Sequence, residues 1–158
     1  MGILRGSTIG RRAVMLTALT LVLAVACGGR RETPLDALAQ QWLDALNTHD
    51  PQQVLALMSP DATYADPMTP RPLPVAELAT HLSRIWDIWR DQVYSATTIV
   101  TSERAAAVEW QVQQTHQNGQ VLPMQGVFIL EIVGGRIQSA RSYYNAVPYL
   151  QFFAPGRR

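Results

Sequence analysis

Lysine is absent from this chain, and all thirteen of its basic residues are arginine. Cysteine occurs once, at Cys27, so no disulfide can form within the chain and the fold must hold by packing alone. The leading apolar run, Ala13 to Ala26, stops at fourteen residues, short of the about 20 that a spanning helix needs. The three histidines, His49, His81 and His116, fall on separate predicted elements. With no His-x-His word and no cysteine pair, no zinc site is read, and no cofactor is implied. There is no glycine-rich phosphate loop and no nucleophile elbow: Gly28-Gly29 reads as tether and Gly134-Gly135 as a turn. No basic patch points to nucleic acid.

What is present begins with a basic head, Arg5, Arg11 and Arg12, then the apolar run and the word Leu23-Ala24-Val25-Ala26-Cys27. That order is the pattern of a secretory signal. Its end resembles the lipobox of bacterial lipoproteins, which implies cleavage before Cys27, a diacylglyceryl group on its sulfur and extracytoplasmic anchoring in a bacterial cell envelope. Gly10-Arg11-Arg12 resembles a degenerate twin-arginine signal, so the export route stays open. Residues 1–26 are read as signal peptide, 27–33 as lipidated cysteine and short tether, 34–153 as one domain and 154–158 as tail. Beyond the signal, ten arginines face twelve acidic residues, a net charge of about −2.

The domain opens with a well-marked helix. Thr33 suits its cap, Pro34 its first position and Asp36 its first turn, while Leu35, Leu38, Trp42 and Leu46 share one face. Asp50-Pro51 repeats the start signal for a short second helix, with Val54, Leu57 and Met58 as its apolar side and Pro60 as its stop. Ala62 to Asp66 reads as a short strand or extended entry, followed by a loop set by Pro67, Pro70, Pro72 and Pro74. A third helix starts near Val75 and buries Leu78, Leu82, Ile85 and Trp89. Strands are expected at 92–101, 105–116, 121–133 and 137–149, joined by hairpin turns at Asn118-Gly119 and Gly134-Gly135. The expected class is α+β, with three N-terminal helices packed on a strongly curved, mostly antiparallel sheet.

Pairing Gln117 with Gln120 and Val133 with Arg136 predicts the faces. Val108, Trp110, Val112, Gln125, Val127, Ile129, Ser142 and Tyr144 fall on the helix-covered side. Phe128, Tyr143, Glu109 and Arg141 fall on an outer face that suits a homodimer contact, with Glu109 pairing Arg141.

The words Leu43 to Asp50, Val54 to Pro67, Gly126 to Glu131 and Arg141-Ser142-Tyr143-Tyr144 resemble the nuclear-transport-factor-2-like superfamily, in its SnoaL-like and ketosteroid-isomerase-like branch. The likeness spans about residues 34–153 and implies a cone with a deep apolar pocket. It implies function weakly, because the fold hosts isomerases, cyclases, hydrolases and non-catalytic binders. By the same resemblance Asp66 falls where the isomerases keep an aspartate base. Trp42 falls where they keep a tyrosine, and Gln125 or Gly126 where they keep a protonated acid. In those enzymes that acid is a neutral carboxyl that donates a hydrogen bond; indole and amide are poorer donors. Arg141-Ser142-Tyr143 lacks the aspartate of the limonene-epoxide-hydrolase word.

Asp66 is therefore the candidate general base, and burial there is expected to raise its pKa. Trp42, Tyr64, Trp110, Gln125, Ser142 and Tyr144 are the candidate ligand contacts. His81, beside Leu82 and off the buried stripe, is read as solvent-facing. Three functions follow as expectations: a membrane-anchored domain that binds a small apolar molecule, an isomerase or cyclase acting on a ketone or polyketide-like compound through Asp66, and a protein-interaction domain whose cavity tryptophans have filled.

Overall fold

The computed structural model describes residues 34–154. The signal peptide, Cys27, the tether with the Thr33 cap, and residues 155–158 lie outside the described residues. Helix α1 (Pro34–Asn47) starts at its proline and buries Ala39, Trp42, Leu43, Ala45 and Leu46. The side chain of Asn47, the last residue of the helix, mimics a strand neighbour: its amide donates to the Tyr94 carbonyl at 2.8 Å and accepts from the Tyr94 N–H at 2.7 Å. Helix α2 (Pro51–Ala56) is capped by Asp50, which accepts from the Gln52 N–H at 2.9 Å.

The order then departs from expectation. Strand β1 (Met58–Ala65) follows directly, so Met58 and Pro60 belong to a strand rather than to the end of α2. Strand β2 (Leu73–Pro74) and helix α3 (Val75–Ile88) come next, then β3 (Val93–Thr101), β4 (Ala105–Thr115), β5 (Val121–Val133), β6 (Arg136–Tyr144) and α4 (Val147–Phe152). Among the described residues only two helices precede the sheet, because α3 is inserted between β2 and β3.

The six strands form one mixed, open sheet in the order β2-β1-β6-β5-β4-β3. β1 runs parallel to β6, while the other pairs are antiparallel. The strongly curved sheet expected from the sequence is not what forms. Sharp bending needs bulges or glycine kinks, and the central β4–β5 ladder runs unbroken from Ala105↔Glu131 to Thr115↔Val121. Register shifts occur only in the flanking pairs. The gap in the β1–β6 ladder, between Met58 and Thr63, contains Pro60, which has no N–H to donate.

Two local features move β5 by one residue from the predicted register. The β4–β5 connection closes on His116 and Gln120, leaving a three-residue loop whose last member, Gly119, has φ +87°. Trp110 therefore faces Gly126, and Val112 faces Met124. In β5–β6 a bulge between Glu131 and Ile132 compensates, so Phe128 pairs with Ser142 and Gly126 with Tyr144. Side chains alternate between faces, so a one-residue slip exchanges them. Phe128, expected outside, lies in the core with Leu130, and Gln125 lies outside and exposed. Phe128 meets Trp42 edge-on at 5.9 Å. On the outer face Arg141 pairs with Glu131 at 2.7 Å. The final strand ends at Tyr144 rather than Tyr149, and Pro148 falls in the first turn of α4.

Candidate functional site

Asp66 follows the last residue of β1, where the chain turns under Pro67. Aspartate before such a turn accepts from the backbone two or three residues on. Here Oδ1 accepts from the Met68 N–H at 2.7 Å and the Thr69 N–H at 3.0 Å. Thr69 answers: its hydroxyl donates to the Asp66 carbonyl at 2.9 Å, and its backbone N–H reaches the same oxygen at 3.1 Å. The turn fixes Oδ1 and leaves Oδ2 pointing inward. Oδ2 accepts from the Tyr64 hydroxyl at 3.0 Å and lies 3.5 Å from His81 Nε2. The second contact is electrostatic, since the distance is too long for a good hydrogen bond.

The Asp66 side chain is 5% exposed. Burial pushes its pKa up, but His81, the Met68 N–H and the Tyr64 hydroxyl outweigh that push, and the carboxyl sits below its ordinary value. The rise expected from desolvation alone is thus corrected: the turn and its neighbours keep Asp66 ionised. Around it the phenols stay neutral. Burial first, and then the Asp66 charge, push Tyr64, Tyr94 and Tyr144 above the ordinary tyrosine value.

Asp66, Tyr64 and His81 head a cavity of about 130 Å³. Trp110, Tyr94 and Tyr144 form one wall, with Trp110 centred 5.3 Å from Tyr94 and 6.1 Å from Tyr144. Trp89 and Tyr149 form another, joined by a 3.2 Å hydrogen bond from the indole N–H to the phenol oxygen. At the polar end Gln92 donates to Gln114 at 2.6 Å, and Gln114 turns its amide toward the Met124 sulfur at 3.3 Å. Both glutamines are buried, as is Ser142.

Of the residues singled out from the sequence, Asp66, Tyr64, Trp110, Ser142 and Tyr144 come together in this cavity. Trp42 does not line it: it is fully buried behind Phe128. Gln125 is on the opposite face of the sheet, along a shallow outer groove. The inward position beside it is Gly126, where an added Cβ would sit 2.6 Å from Trp110 Cζ2. The Trp110 ring thus takes the space in which the resemblance would place an acidic donor. Reading His81 as solvent-facing missed it: it lines the cavity. A signal existed, since His81 stands three residues after Leu78 and four before Ile85, on the buried side of α3. Gln92 and Gln114 were also missed, hidden among the alternating polar residues of β-strand sequence. Among the described residues no three His, Cys, Asp or Glu side chains gather as a metal site.

The SnoaL-like domain model matches residues 39–140, well over half of the chain. The chain belongs to the SnoaL-like domain family. No curated protein matches it. Among solved structures, an NTF2-like protein of unknown function from Burkholderia pseudomallei is 15% identical, with a TM-score of 0.70 over 76% of this chain and 97% of that one. A putative polyketide cyclase from Xanthomonas campestris is 20% identical, with a TM-score of 0.69 over 75% and 95%. A hypothetical protein with a ketosteroid-isomerase-like fold from Catenulispora acidiphila, in complex with trimethylamine, is 16% identical, with a TM-score of 0.67 over 72% and 89%. These likenesses establish the shared fold of this SnoaL-like domain.

Proposed function

We propose that this SnoaL-like domain binds a compact, largely apolar molecule in the cavity headed by Asp66, and that binding rather than turnover is its main work. The observation that carries this is the cavity itself: an ionised carboxylate at the head of an aromatic-walled space of about 130 Å³. A dry cavity of about 150 Å³ accepts benzene, so this one suits a ligand of that class and is too small for a fused polyketide. The trimethylamine bound to the Catenulispora relative supports a ligand of that scale. The test is thermal stabilisation of the full chain against compact ketones, phenols and amines, alongside multi-ring compounds. Saturable stabilisation confined to the compact set is expected, and preference for the multi-ring set overturns the reading.

A second reading, proton transfer on a small ketone, rests on the Asp66–Tyr64–His81 cluster. Against it, a carboxylate held below its ordinary pKa is a weaker base, and Gly126 has no side chain to donate to a developing oxyanion. Deuterium exchange at the α-carbon of compact ketones, followed by NMR, separates the readings: exchange abolished by Asp66→Asn establishes turnover.

Anchoring is part of the same proposal. The basic head, the apolar run and the Ala26-Cys27 word support a lipid on Cys27 and an extracytoplasmic position at a bacterial membrane. Mass spectrometry of the protein from a bacterial host checks it: a diacylglyceryl mass on Cys27 is expected, and an unmodified, uncleaved N-terminus rules it out.

A further inference from the structure

We propose that the cavity selects a small alkylammonium cation, an organic amine carrying methyl-sized substituents, which docks its positive charge against Asp66 between the faces of the surrounding aromatic rings. The inference rests on the compact-ligand reading above and names the chemical class it left open.

Charge gives the first argument. A buried carboxylate needs a partner of opposite charge or a full set of hydrogen bonds. Asp66 has three donors, the Met68 and Thr69 N–H groups and the Tyr64 hydroxyl, for about four lone-pair sites. Among the described residues no arginine lines the cavity, and the chain has no lysine. Among the described residues His81 is the one basic side chain beside the carboxylate, 3.5 Å away. The Tyr64, Tyr94 and Tyr144 phenols are held neutral, so they add donors and ring faces without adding charge.

The walls give the second argument. Six of the lining residues are aromatic: Tyr64, Trp89, Tyr94, Trp110, Tyr144 and Tyr149. Ring faces carry partial negative charge, and enclosing a quaternary ammonium by several of them is the recognised means of binding one from water. An apolar ligand would use the same walls but offer nothing to the lone pair of the carboxylate that the protein leaves open. A metal ion would find a single carboxylate and no third ligand among the described residues. An alkylammonium satisfies both features, because its charge is spread over methyl groups that pack on rings.

The test compares two probes of one shape on the full, unaltered chain: choline and its neutral isostere 3,3-dimethylbutan-1-ol. Titration calorimetry in one buffer reads both affinities. Choline is expected to bind at least about tenfold more tightly than the isostere, and Asp66→Asn is expected to abolish that difference while the isostere still binds. Asparagine keeps the oxygen that accepts from Met68 and Thr69, and the comparison on the unaltered chain does not depend on the variant. Equal binding of the two probes, or tighter binding of the isostere, overturns the cation while leaving the compact-ligand cavity standing. No binding of either overturns both.

Discussion

The Tyr64 phenol donates to the Asp66 carboxylate at 3.0 Å across the end of β1, joining two residues that alternate to the same side of the strand. This bond is one of the influences that hold the carboxyl below its ordinary value. Tyr64→Phe removes it and leaves the burial that opposes it. The Asp66 pKa is expected to rise in that variant, read from the pH dependence of its carboxyl carbon by NMR. A pKa that stays put would mean that the turn N–H groups and His81 govern it without Tyr64.

The same depressed pKa sets a direction for stability. A carboxyl whose folded pKa lies below its unfolded value contributes stability above the unfolded value and loses it as pH falls through the folded one. The ordinary aspartate value is 3.8. Unfolding midpoints in urea should therefore be steady above that value, as far as Asp66 is concerned, and fall as the solution becomes more acidic. Asp66→Asn should show a shallower acid dependence than the unaltered chain. Parallel curves would remove Asp66 from the acid response.

Gly126 is the position at which β5 passes beneath Trp110. An added Cβ would collide with the Tyr143 carbonyl oxygen, which is backbone, and would lie 2.9 Å from the Tyr144 Cβ. Relief requires movement of the strand or of the Trp110 ring. Gly126→Ala is expected to destabilise the domain by about 1–3 kcal/mol, as overpacking does, and to weaken ligand binding by shifting Trp110. Denaturant unfolding and the choline titration measure the two effects; an alanine variant as stable and as tight-binding as the original chain contradicts the close approach.

The Gln92–Gln114 bond lies wholly inside the domain. Replacing either glutamine by leucine strands the other, at a cost of about 1–3 kcal/mol for an unsatisfied buried group. The double variant should cost less than the sum of the singles, because neither amide is then left without its partner. A double-mutant cycle by urea unfolding tests this coupling; strict additivity would show that the two amides are satisfied independently.

Much of the architecture could be read from punctuation: Pro34, Asp50-Pro51 and Val75 mark true helix starts, and Asn118-Gly119 and Gly134-Gly135 mark true turns. The faces could not, because they depend on counting. A loop of three residues instead of two, and one bulge near Ile132, decide whether Gln125 or Gly126 points inward, and nothing local in Gln125-Gly126-Val127 announces either event. Asp66 was legible from the Asp66-Pro67 word. Its low pKa was not, because it depends on His81 arriving from α3. The sheet's lack of strong curvature and the insertion of α3 within it depend on how β1 joins β6, a pairing of strands more than seventy residues apart in the chain.

Helix α4 contains no buried residue, yet its Tyr149 forms part of the cavity wall. It leans on Trp89 through ring contacts of 5.8 Å from Tyr149 and 5.2 Å from Phe152, and through one hydrogen bond, with no strand ladder to hold it. Such an element opens by local unfolding at a small fraction of the free energy that unfolds the sheet. On the proposed function, affinity and dwell time are then separable: substitutions around Asp66 are expected to alter how tightly a guest is held, and Phe152→Ala, which lies outside the cavity lining, how quickly it leaves.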